Sequence, residues 1–506
     1  MNTAIKYTGL ALFLGALLLF NALLFMTRHE VTDTALQAVV SGVSDPAHQS
    51  LITDALKARS GAPQGKWAFL TGLNSQFQAA GISKYSRDEY LFSIAKHTAT
   101  GVYWDQPFLF FILIVLVGAL GALIYMIPAF FDGMPGIKHN GLYFNSATNQ
   151  GLIGILAGTF LIGFYILLYF YHWLIAEWIT LVDPVAQVLR HEPASKWFMY
   201  GFLYSVAITV MGVRMFAKYR HSAYQRLRTA SVMFFQLCFA FILPQILYQL
   251  HLPEDDLKNI WPLNYYFFFD WNIAKHIDSG AIGTFMLVWG IILAAVGVPL
   301  MTFFFGKRWY CSWVCGCGGL AETAGDPFRH LSDKSLSAWK IERWMIHSVL
   351  VFAVAMTALL WINVATNQGV LHAFSQSFYK WYAFLIGSAF SGVVGVGFYP
   401  LLGSRVWCRF GCPMAAWLGL WQKKASRFRI TVNGGQCISC GNCSTYCEMG
   451  IDVRHYAQRG QDVVRASCVG CGLCAAVCPR GVLRLENAAA DAGVRTTKTA
   501  ITYPEN

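Results

Sequence analysis

The sequence predicts an all-α polytopic helix bundle that crosses a membrane about eight times and ends in a small α+β domain. Composition is the first observation: 56% of the 506 residues are hydrophobic and 13% are charged, whereas soluble domains carry about 25% charged residues. The second is a series of apolar stretches long enough to cross about 30 Å of hydrocarbon. The third is that all fourteen cysteines lie at or after Cys238.

The apolar stretches set the predicted spans. We place them at about 8–27, 107–128, 151–173, 198–216, 229–251, 281–305, 345–365 and 381–402. The first stretch is predicted to be an uncleaved anchor, because its apolar core is long and no clear small-x-small cleavage site follows it.

The distribution of charge predicts the orientation. Basic residues concentrate in the segments 217–228 and 305–344, whereas 252–280 carries three consecutive acidic residues, Glu254 to Asp256. By the positive-inside rule the two basic segments face the cytoplasm, so both termini are cytoplasmic and 28–106 is external. The net charge of +12 then reflects topology, and no nucleic-acid partner is predicted. The expected location is a bacterial inner membrane.

Two cysteine runs near the C-terminus carry the strongest motif. Cys437 and Cys468 each begin a C-x2-C-x2-C-x3-C run. In bacterial ferredoxins the first three cysteines of such a run hold one 4Fe–4S cluster and the fourth holds the other. Zinc sites instead use four or fewer thiolates in separated pairs. The sequence therefore predicts two 4Fe–4S clusters, with the ligand sets Cys437, Cys440, Cys443, Cys478 and Cys468, Cys471, Cys474, Cys447.

The predicted organisation has six parts. They are an anchor helix at 1–27, a periplasmic mostly helical domain at 28–106, a transmembrane bundle at 107–305, a cytoplasmic cysteine loop at 306–344, a transmembrane helix pair at 345–402 and a cytoplasmic domain like a bacterial 2×4Fe–4S ferredoxin at 403–506. In the ferredoxin-like part, Glu448 stands where the first run would often have proline.

Two further cysteine groups follow predicted spans. Cys311, Cys315 and Cys317 lie after the sixth span, and Cys408 and Cys412 lie after the eighth. A C-x3-C pair places two thiols about one helical turn apart, so both can face one ligand. Such thiols could bind a further cluster or a metal, or form a redox dithiol. They could also be reduced cysteines that pack helix ends.

These motifs resemble the NosR/NapH-type family of membrane polyferredoxins. The resemblance is carried by R-W-Y-C-S-W-V-C-G-C-G near 308–318, by S-R-V-W-C-R-F-G-C-P-M near 404–414 and by the runs at 437–479. It covers roughly the last 225 residues. It implies electron transfer across or along the inner membrane, commonly with quinol oxidation and a periplasmic acceptor. The first element departs from the family in having Gly316 where proline is usual, and in adding Cys317.

Histidines near span ends are the candidates for a route across the membrane. Two of them could ligate a haem b, or one could hydrogen-bond a quinone. Interfacial histidines are also often simply hydrogen-bonded residues. The candidates are His172, His251, His276, His347 and His372.

Three functions are compatible with these motifs. The first is an electron conduit that links the quinone pool or a cytoplasmic donor to other redox subunits. Such a conduit could be the electron-transfer component of a quinol dehydrogenase. The second is a maturation factor for a metalloenzyme, which the extra Cys317 favours. The third is a structural or redox-sensing subunit of a respiratory complex. Fold kinship does not decide among them.

Overall fold

The computed structural model describes residues 2–131, 149–366, 371–433 and 435–487. Within these residues seven helices are long and apolar enough to cross a membrane. They are Thr3–Met26, Pro107–Met126, Leu152–Phe170, Lys196–Lys218, Ala223–Gln249, Gly280–Phe305 and Leu336–Ala365. The prediction of a multi-pass helical membrane protein is confirmed.

The eighth predicted stretch, 381–402, is not one of these seven helices. His372–Tyr382 continues into a π-helical segment, Ala383–Val394. The chain then turns at 395–398 before the short helix Tyr399–Leu402. Glycines explain the interruption, because they weaken a helix that apolar composition alone would extend.

The chain divides into two compact units, and the first comprises Met1–Asp132 and Phe164–Val206. Its helices are Asn2–Met26, Asp33–Ser41, Pro46–Lys57, Lys66–Ala79, Lys84–His97, Val102–Asp105, Pro107–Phe111, Val117–Phe131, Ala176–Thr180 and Asp183–Arg190, with a π segment at Ile112–Leu116 and a 3-10 turn at His172–Ile175. Helices Leu152–Phe170 and Lys196–Lys218 belong to both units.

Close helix packing holds the first and second spans together. A methyl group on Gly9 would come within 2.4 Å of the backbone nitrogen of Tyr125, and one on Gly121 within 2.7 Å of that of Phe13. Small residues permit this approach of two backbones, which is how helices commonly associate where lipid surrounds them.

The segment between these two spans is helical, and it packs around its own apolar core. Arg28–His29 pairs antiparallel with Gln64–Gly65 and with Ala99–Thr100. Thr32 and Asp45 cap the first two helices by accepting hydrogen bonds from backbone amides. The core residues include Ile52, Leu56, Phe69, Leu70, Leu73, Phe77, Leu91 and Ile94. A buried ion pair of 2.6 Å joins Lys66 to Glu177 in the helix Ala176–Thr180.

The second unit comprises Gly133–Gly163 and Ala207–Asn506. Its further helices are Ala223–Phe234, Leu243–Gln249, Asp270–Asp278, Gly280–Ile292, Val298–Phe305, Arg308–Cys311, Gly316–Glu322, Leu336–Ala365, Pro413–Ala425, Asn442–Thr445, Val453–Gln458 and Leu473–Ala476. Its π segments are Phe235–Ile242, Leu293–Gly297, Ala383–Val394 and Trp407–Gly411, and a 3-10 turn spans Asp326–Leu331.

The connection at 252–280, expected to lie outside the membrane, runs against the helices of the second unit. Trp289 Nε1 donates to the carbonyl of Leu257 (3.0 Å), and Tyr310 Oη donates to that of Lys258 (2.7 Å). Trp261 Nε1 donates to Thr357 Oγ1 (3.3 Å). Trp289 and Thr357 each lie about two turns inside a membrane-capable helix, so side chains within those helices satisfy polar groups of the connection.

The C-terminal part forms the expected small α+β domain. Phe428–Val432 pairs antiparallel with Leu483–Asn487, from Phe428 opposite Asn487 to Val432 opposite Leu483. Burial alternates along the first strand, whose residues 428, 430 and 432 face inward. Three short helices lie between the strands in sequence.

Candidate iron–sulfur centres

The first predicted ligand set lines one cavity. Cys437, Cys440, Cys443 and Cys478 line this cavity in the C-terminal domain. Gly441 has a φ of +81°, a left-handed conformation that glycine adopts without steric cost. This turn starts the short helix that carries Cys443, and it brings three cysteines of one run to the same cavity.

The second predicted set lines another cavity. Its lining includes Cys447, Cys468, Cys471 and Cys474. Gly472 has a φ of +74°, and a methyl group there would come within 2.8 Å of the Tyr224 ring. The eight cysteines therefore line two cavities in two sets of four, with Cys478 in the cavity of the first run and Cys447 in that of the second.

The two cavities differ in their surroundings. Cys440 in the first set is exposed to solvent. In the second set, the carbonyl of Cys471 accepts hydrogen bonds from Gln225 Nε2 (2.9 Å) and Arg228 Nη1 (3.0 Å). Both donors belong to the helix Ala223–Phe234, so the second cavity lies against the helix bundle and the first opens to solvent.

The paired C-x3-C motifs also come together. Cys311, Cys315, Cys408 and Cys412 are all buried, and Cys317 packs against the same apolar core. The four are close enough for their charges to interact with one another. The short helix Arg308–Cys311 and the π turn Trp407–Gly411 position the first cysteine of each pair.

The protonation of these thiols depends on their burial. Burial raises the pKa of Cys311 to about 12, and it also raises the pKa of Cys412. Cys315 differs, because a hydrogen bond from Cys317 lowers its pKa to about 6. Four buried thiolates would repel one another, and the positive charge of a bound metal is what stabilises such a set.

A buried network of ion pairs lies beside these cysteines. Glu322 accepts from Arg228 (2.6 Å), Arg329 (2.7 Å) and Arg405 (2.6 Å). Glu448, next to Cys447, pairs with Arg329 and Arg405. Burial opposes the ionisation of Glu322, but the three guanidinium groups outweigh it and hold the pKa of that carboxyl below its ordinary value.

Arg405 connects the paired motifs to this network. Its Nη1 donates to the Cys311 carbonyl (3.2 Å) and to Cys408 Sγ (3.6 Å). Its Nη2 lies 2.6 Å from Glu322 Oε1 and 2.9 Å from Glu448 Oε1. One fully buried guanidinium thus contacts both motifs and the acidic residue that follows Cys447.

The network continues through Asp326 and carries excess positive charge. Asp326 pairs with Arg214 (2.9 Å), Lys218 (2.7 Å) and Arg329 (2.8 Å). Among the described residues, three carboxylates in the network therefore face five basic side chains. Such an excess suits anionic clusters nearby, since buried charges need partners.

Glu322, Glu448 and Cys471 offer ligand atoms within 4.8 Å of one another. Guanidinium groups already bind both carboxylates, so we assign no separate metal to these residues. Sequence reasoning missed the network. Its one visible signal was Glu448, the acidic residue at a position where proline is common.

Three of the candidate histidines, His172, His276 and His372, contact polar side chains. His172 Nδ1 lies 3.3 Å from Lys196 Nζ, and burial together with Lys196 lowers the pKa of His172 to about 4. His276 Nε2 lies 3.0 Å from Asp255. His251 is exposed and His347 is half-buried. In the described parts of the second unit, no hydrogen bond pairs one histidine with another.

His372 adjoins a pocket with aromatic walls. Its Nδ1 lies 3.3 Å from Asn363 Nδ2, and Asn363 lines a cavity of about 160 Å³. The aromatic walls are Phe268, Phe269, Trp271, Trp361 and Tyr379. Within the described chain, the buried Oδ1 of Asn363 has no hydrogen-bond donor.

Tyrosines extend from this pocket toward the paired cysteines. The ring centroid of Tyr265 lies 6.2 Å from that of Tyr379 and 5.2 Å from that of Tyr382. Tyr382 in turn is close enough to Cys412 for their charges to interact. Aromatic contacts therefore connect the pocket to Tyr382, and Tyr382 lies within electrostatic range of Cys412.

Known families match the cysteine-bearing regions. Residues 430–485 match the 4Fe-4S dicluster domain. Residues 287–335 and 384–431 both match a 4Fe-4S binding domain, and they contain the two paired motifs.

Among characterised proteins, the chain is similar to YccM of Escherichia coli (strain K12), which is named as a proposed electron transport protein. Identity is 27% over 157 residues, which cover 29% of this chain and 43% of YccM. No solved structure matches the chain. The chain therefore carries ferredoxin-type 4Fe–4S domains, which bind iron–sulfur clusters, in one polypeptide with membrane-capable helices.

Proposed function

We propose that the protein is a membrane-bound electron conduit of the NosR/NapH type, with three iron–sulfur centres in series. Cys437, Cys440, Cys443 and Cys478 hold the first cluster, and Cys447, Cys468, Cys471 and Cys474 hold the second. Cys311, Cys315, Cys408 and Cys412 hold the third centre. The observation that carries the proposal is Arg405, which contacts both paired motifs and the residue next to Cys447.

The arrangement favours one order of the centres. The first cavity opens to solvent at Cys440, the second lies against the helix bundle, and the third site is buried. Each cluster, when bound, accepts and returns one electron. The chain's own residues supply ligands, exclude water and set the charge around each centre.

Charge distribution supports an inner-membrane location with the ferredoxin-like domain in the cytoplasm. The basic segments 217–228 and 305–344 flank the helices nearest that domain, as the positive-inside rule requires. On this assignment a soluble donor or acceptor reaches the first cluster, while the third centre communicates with the membrane side.

The test is iron content and spectroscopy of the anaerobically purified protein. Three 4Fe–4S clusters require about twelve iron atoms per chain, and three separable EPR signals on reduction. About eight iron atoms and two signals would refute the third centre. Midpoint potentials then indicate the direction of electron flow. A cluster with a potential of about −400 mV is too low in potential to be reduced efficiently by quinol.

Loss of one ferredoxin ligand is expected to remove one cluster. Cys440→Ser should lose the first cluster, because serine is a poor substitute for a thiolate ligand of iron. We expect about four fewer iron atoms per chain, with the other EPR signals retained. Cys238→Ser is the matched control, since Cys238 is half-buried in a membrane-capable helix. Equal iron loss in both variants would contradict the assignment.

A quinol is our proposed reactant on the membrane side, at the aromatic pocket. A pocket with mostly aromatic walls and a few polar groups is typical of small-molecule sites. Asn363 Oδ1 lacks a donor among the described residues, and a quinol hydroxyl supplies one. Oxidation of the quinol to a quinone would release two protons to water and two electrons, one to each of two clusters.

Asn363→Leu is expected to weaken quinol binding by roughly tenfold, about the effect of losing one buried hydrogen bond. The measurement is the KM for a short-chain quinol that reduces the clusters, with dithionite reduction as the check on intact clusters. Phe374→Leu is the control, because Phe374 is exposed in the neighbouring helix and does not line the pocket. An unchanged KM in Asn363→Leu would rule out this pocket.

A further inference from the structure

The first cluster cavity opens at a surface with an apolar centre and a basic rim. Cys440 is exposed beside Ile438, whose exposed fraction is 56%. Arg454 and Arg480 also line the cavity, and both are exposed. We call Ile438, Arg454, Pro479 and Arg480 the arginine face.

The arginines of this face are not paired with acidic residues in the described parts of the chain. Neither Arg454 nor Arg480 forms an ion pair with a described residue. Arg454 Nη1 lies 3.9 Å from where a β-carbon on Gly441 would be, which places its guanidinium over the turn between Cys440 and Cys443.

Nearby acidic residues of the domain are engaged elsewhere. Asp452 accepts a hydrogen bond from Ser444 Oγ (2.6 Å), and Asp462 accepts one from the Val432 amide (3.0 Å). Glu448 is buried among arginines. The positive charge at the cluster mouth is therefore available to a molecule that approaches from solvent.

We propose that the arginine face docks a small soluble electron-carrier protein whose own redox centre is surrounded by acidic residues. The inference rests on the proposed function and names the partner of the first cluster. The carrier loses one electron and the first cluster gains it, with no bond formed and no proton moved. Complementary charge steers such encounters and raises their rate.

Two other roles of these arginines must be distinguished from docking. Exposed arginines are more often simply solvated, and a positive charge near a cluster raises the reduction potential of that cluster. Position separates docking from solvation, because these two exposed arginines line the mouth of the cluster cavity, where a carrier must approach to exchange an electron. Kinetics separates docking from tuning of the potential. Steering acts on the bimolecular rate and is screened by salt over a Debye length of about 10 Å at 0.1 M.

The experiment uses the full-length, cluster-loaded protein in detergent, with an acidic 2×4Fe–4S ferredoxin, chemically reduced, as the probe. Stopped-flow absorbance measures cluster reduction as a function of salt. The variant Arg454→Gln/Arg480→Gln should slow reduction at least tenfold at low salt, and the difference should vanish at high salt. Arg459→Gln/Arg484→Gln, two exposed arginines that do not line the cavity, should react like wild type.

Reduced methyl viologen, a small cation, provides the second readout. Its rate should be unchanged or faster in Arg454→Gln/Arg480→Gln, because removing positive charge does not hinder a cation. Equal slowing of both reductants, or of both double variants, would overturn the docking proposal. Iron content and EPR signals are recorded for every variant, so failure of the three-centre conduit is recognised separately from failure of docking.

Discussion

Cys315→Ser and Cys412→Ser are each expected to lose about four iron atoms per chain while both ferredoxin-type EPR signals remain. Each variant removes one thiolate from a buried set of four. The ferredoxin cysteines belong to two other cavities, so their clusters do not depend on these ligands. Electron flow between the first cluster and the membrane side should fall by a factor of about a hundred or more, since the chain of centres is then broken.

Cys317→Ser is the matched control for this pair. Cys317 lies two residues from Cys315 and donates a hydrogen bond to it, but it is not one of the four proposed ligands. The Cys317→Ser variant should keep the full iron content and shift the potential of the third centre. If Cys315→Ser keeps all its iron and its electron flow, while a separate metalloenzyme in the cell lacks its metal, the maturation function replaces the conduit.

The sequence predicts the grouping of the ferredoxin cysteines well, because that grouping depends on local spacing. Each run brings three thiols together through a glycine turn and a short helix, as at Gly441 and Gly472. Only the crossing of Cys447 and Cys478 to the other cavity needs tertiary contact. Whether iron binds there stays a prediction.

The spans were predictable from composition, but their continuity was not. Hydropathy records the apolar residues of 381–402, and it is insensitive to the turn at 395–398 that ends the helix. The connection at 252–280 is a similar case. Its partners Trp289, Tyr310 and Thr357 lie 32 to 96 residues away in sequence, so no local pattern encodes its path.

The buried ion network is the part that sequence reasoning could not reach. Arg405 and Glu322 are 83 residues apart, and each follows an apolar or glycine-rich segment where a charge would normally face water. Only the folded chain brings them together. Glu448 departs from the ferredoxin pattern, and the structure gives the reason: its carboxylate pairs with Arg329 and Arg405.

Arg405→Gln is therefore expected to lower the midpoint potential of the third centre and to slow its exchange of electrons with the second cluster. A guanidinium beside a cluster stabilises the reduced form, which carries one more negative charge. Its loss should shift the potential by about 59 mV or more, which is a tenfold change in a one-electron equilibrium. Arg405→Lys should shift it less, since the charge remains while the forked contact to Glu322 and Glu448 is lost.

Arg409→Gln separates this electrostatic effect on the third centre from a general loss of folding stability. Arg409 is equally buried and follows Cys408, but it pairs with Glu342 (2.7 Å) and donates to the Asp333 carbonyl (2.7 Å), and it forms no ion pair with Glu322 or Glu448. It should reduce stability while leaving the potential of the third centre and the rate between the second and third centres near wild type, because its charge is paired with that of Glu342. EPR-monitored redox titration gives the potentials, and freeze-quench kinetics gives the rate. If Arg405→Gln and Arg409→Gln change both quantities alike, Arg405 contributes to folding, and the connection between the two centres must run through other atoms.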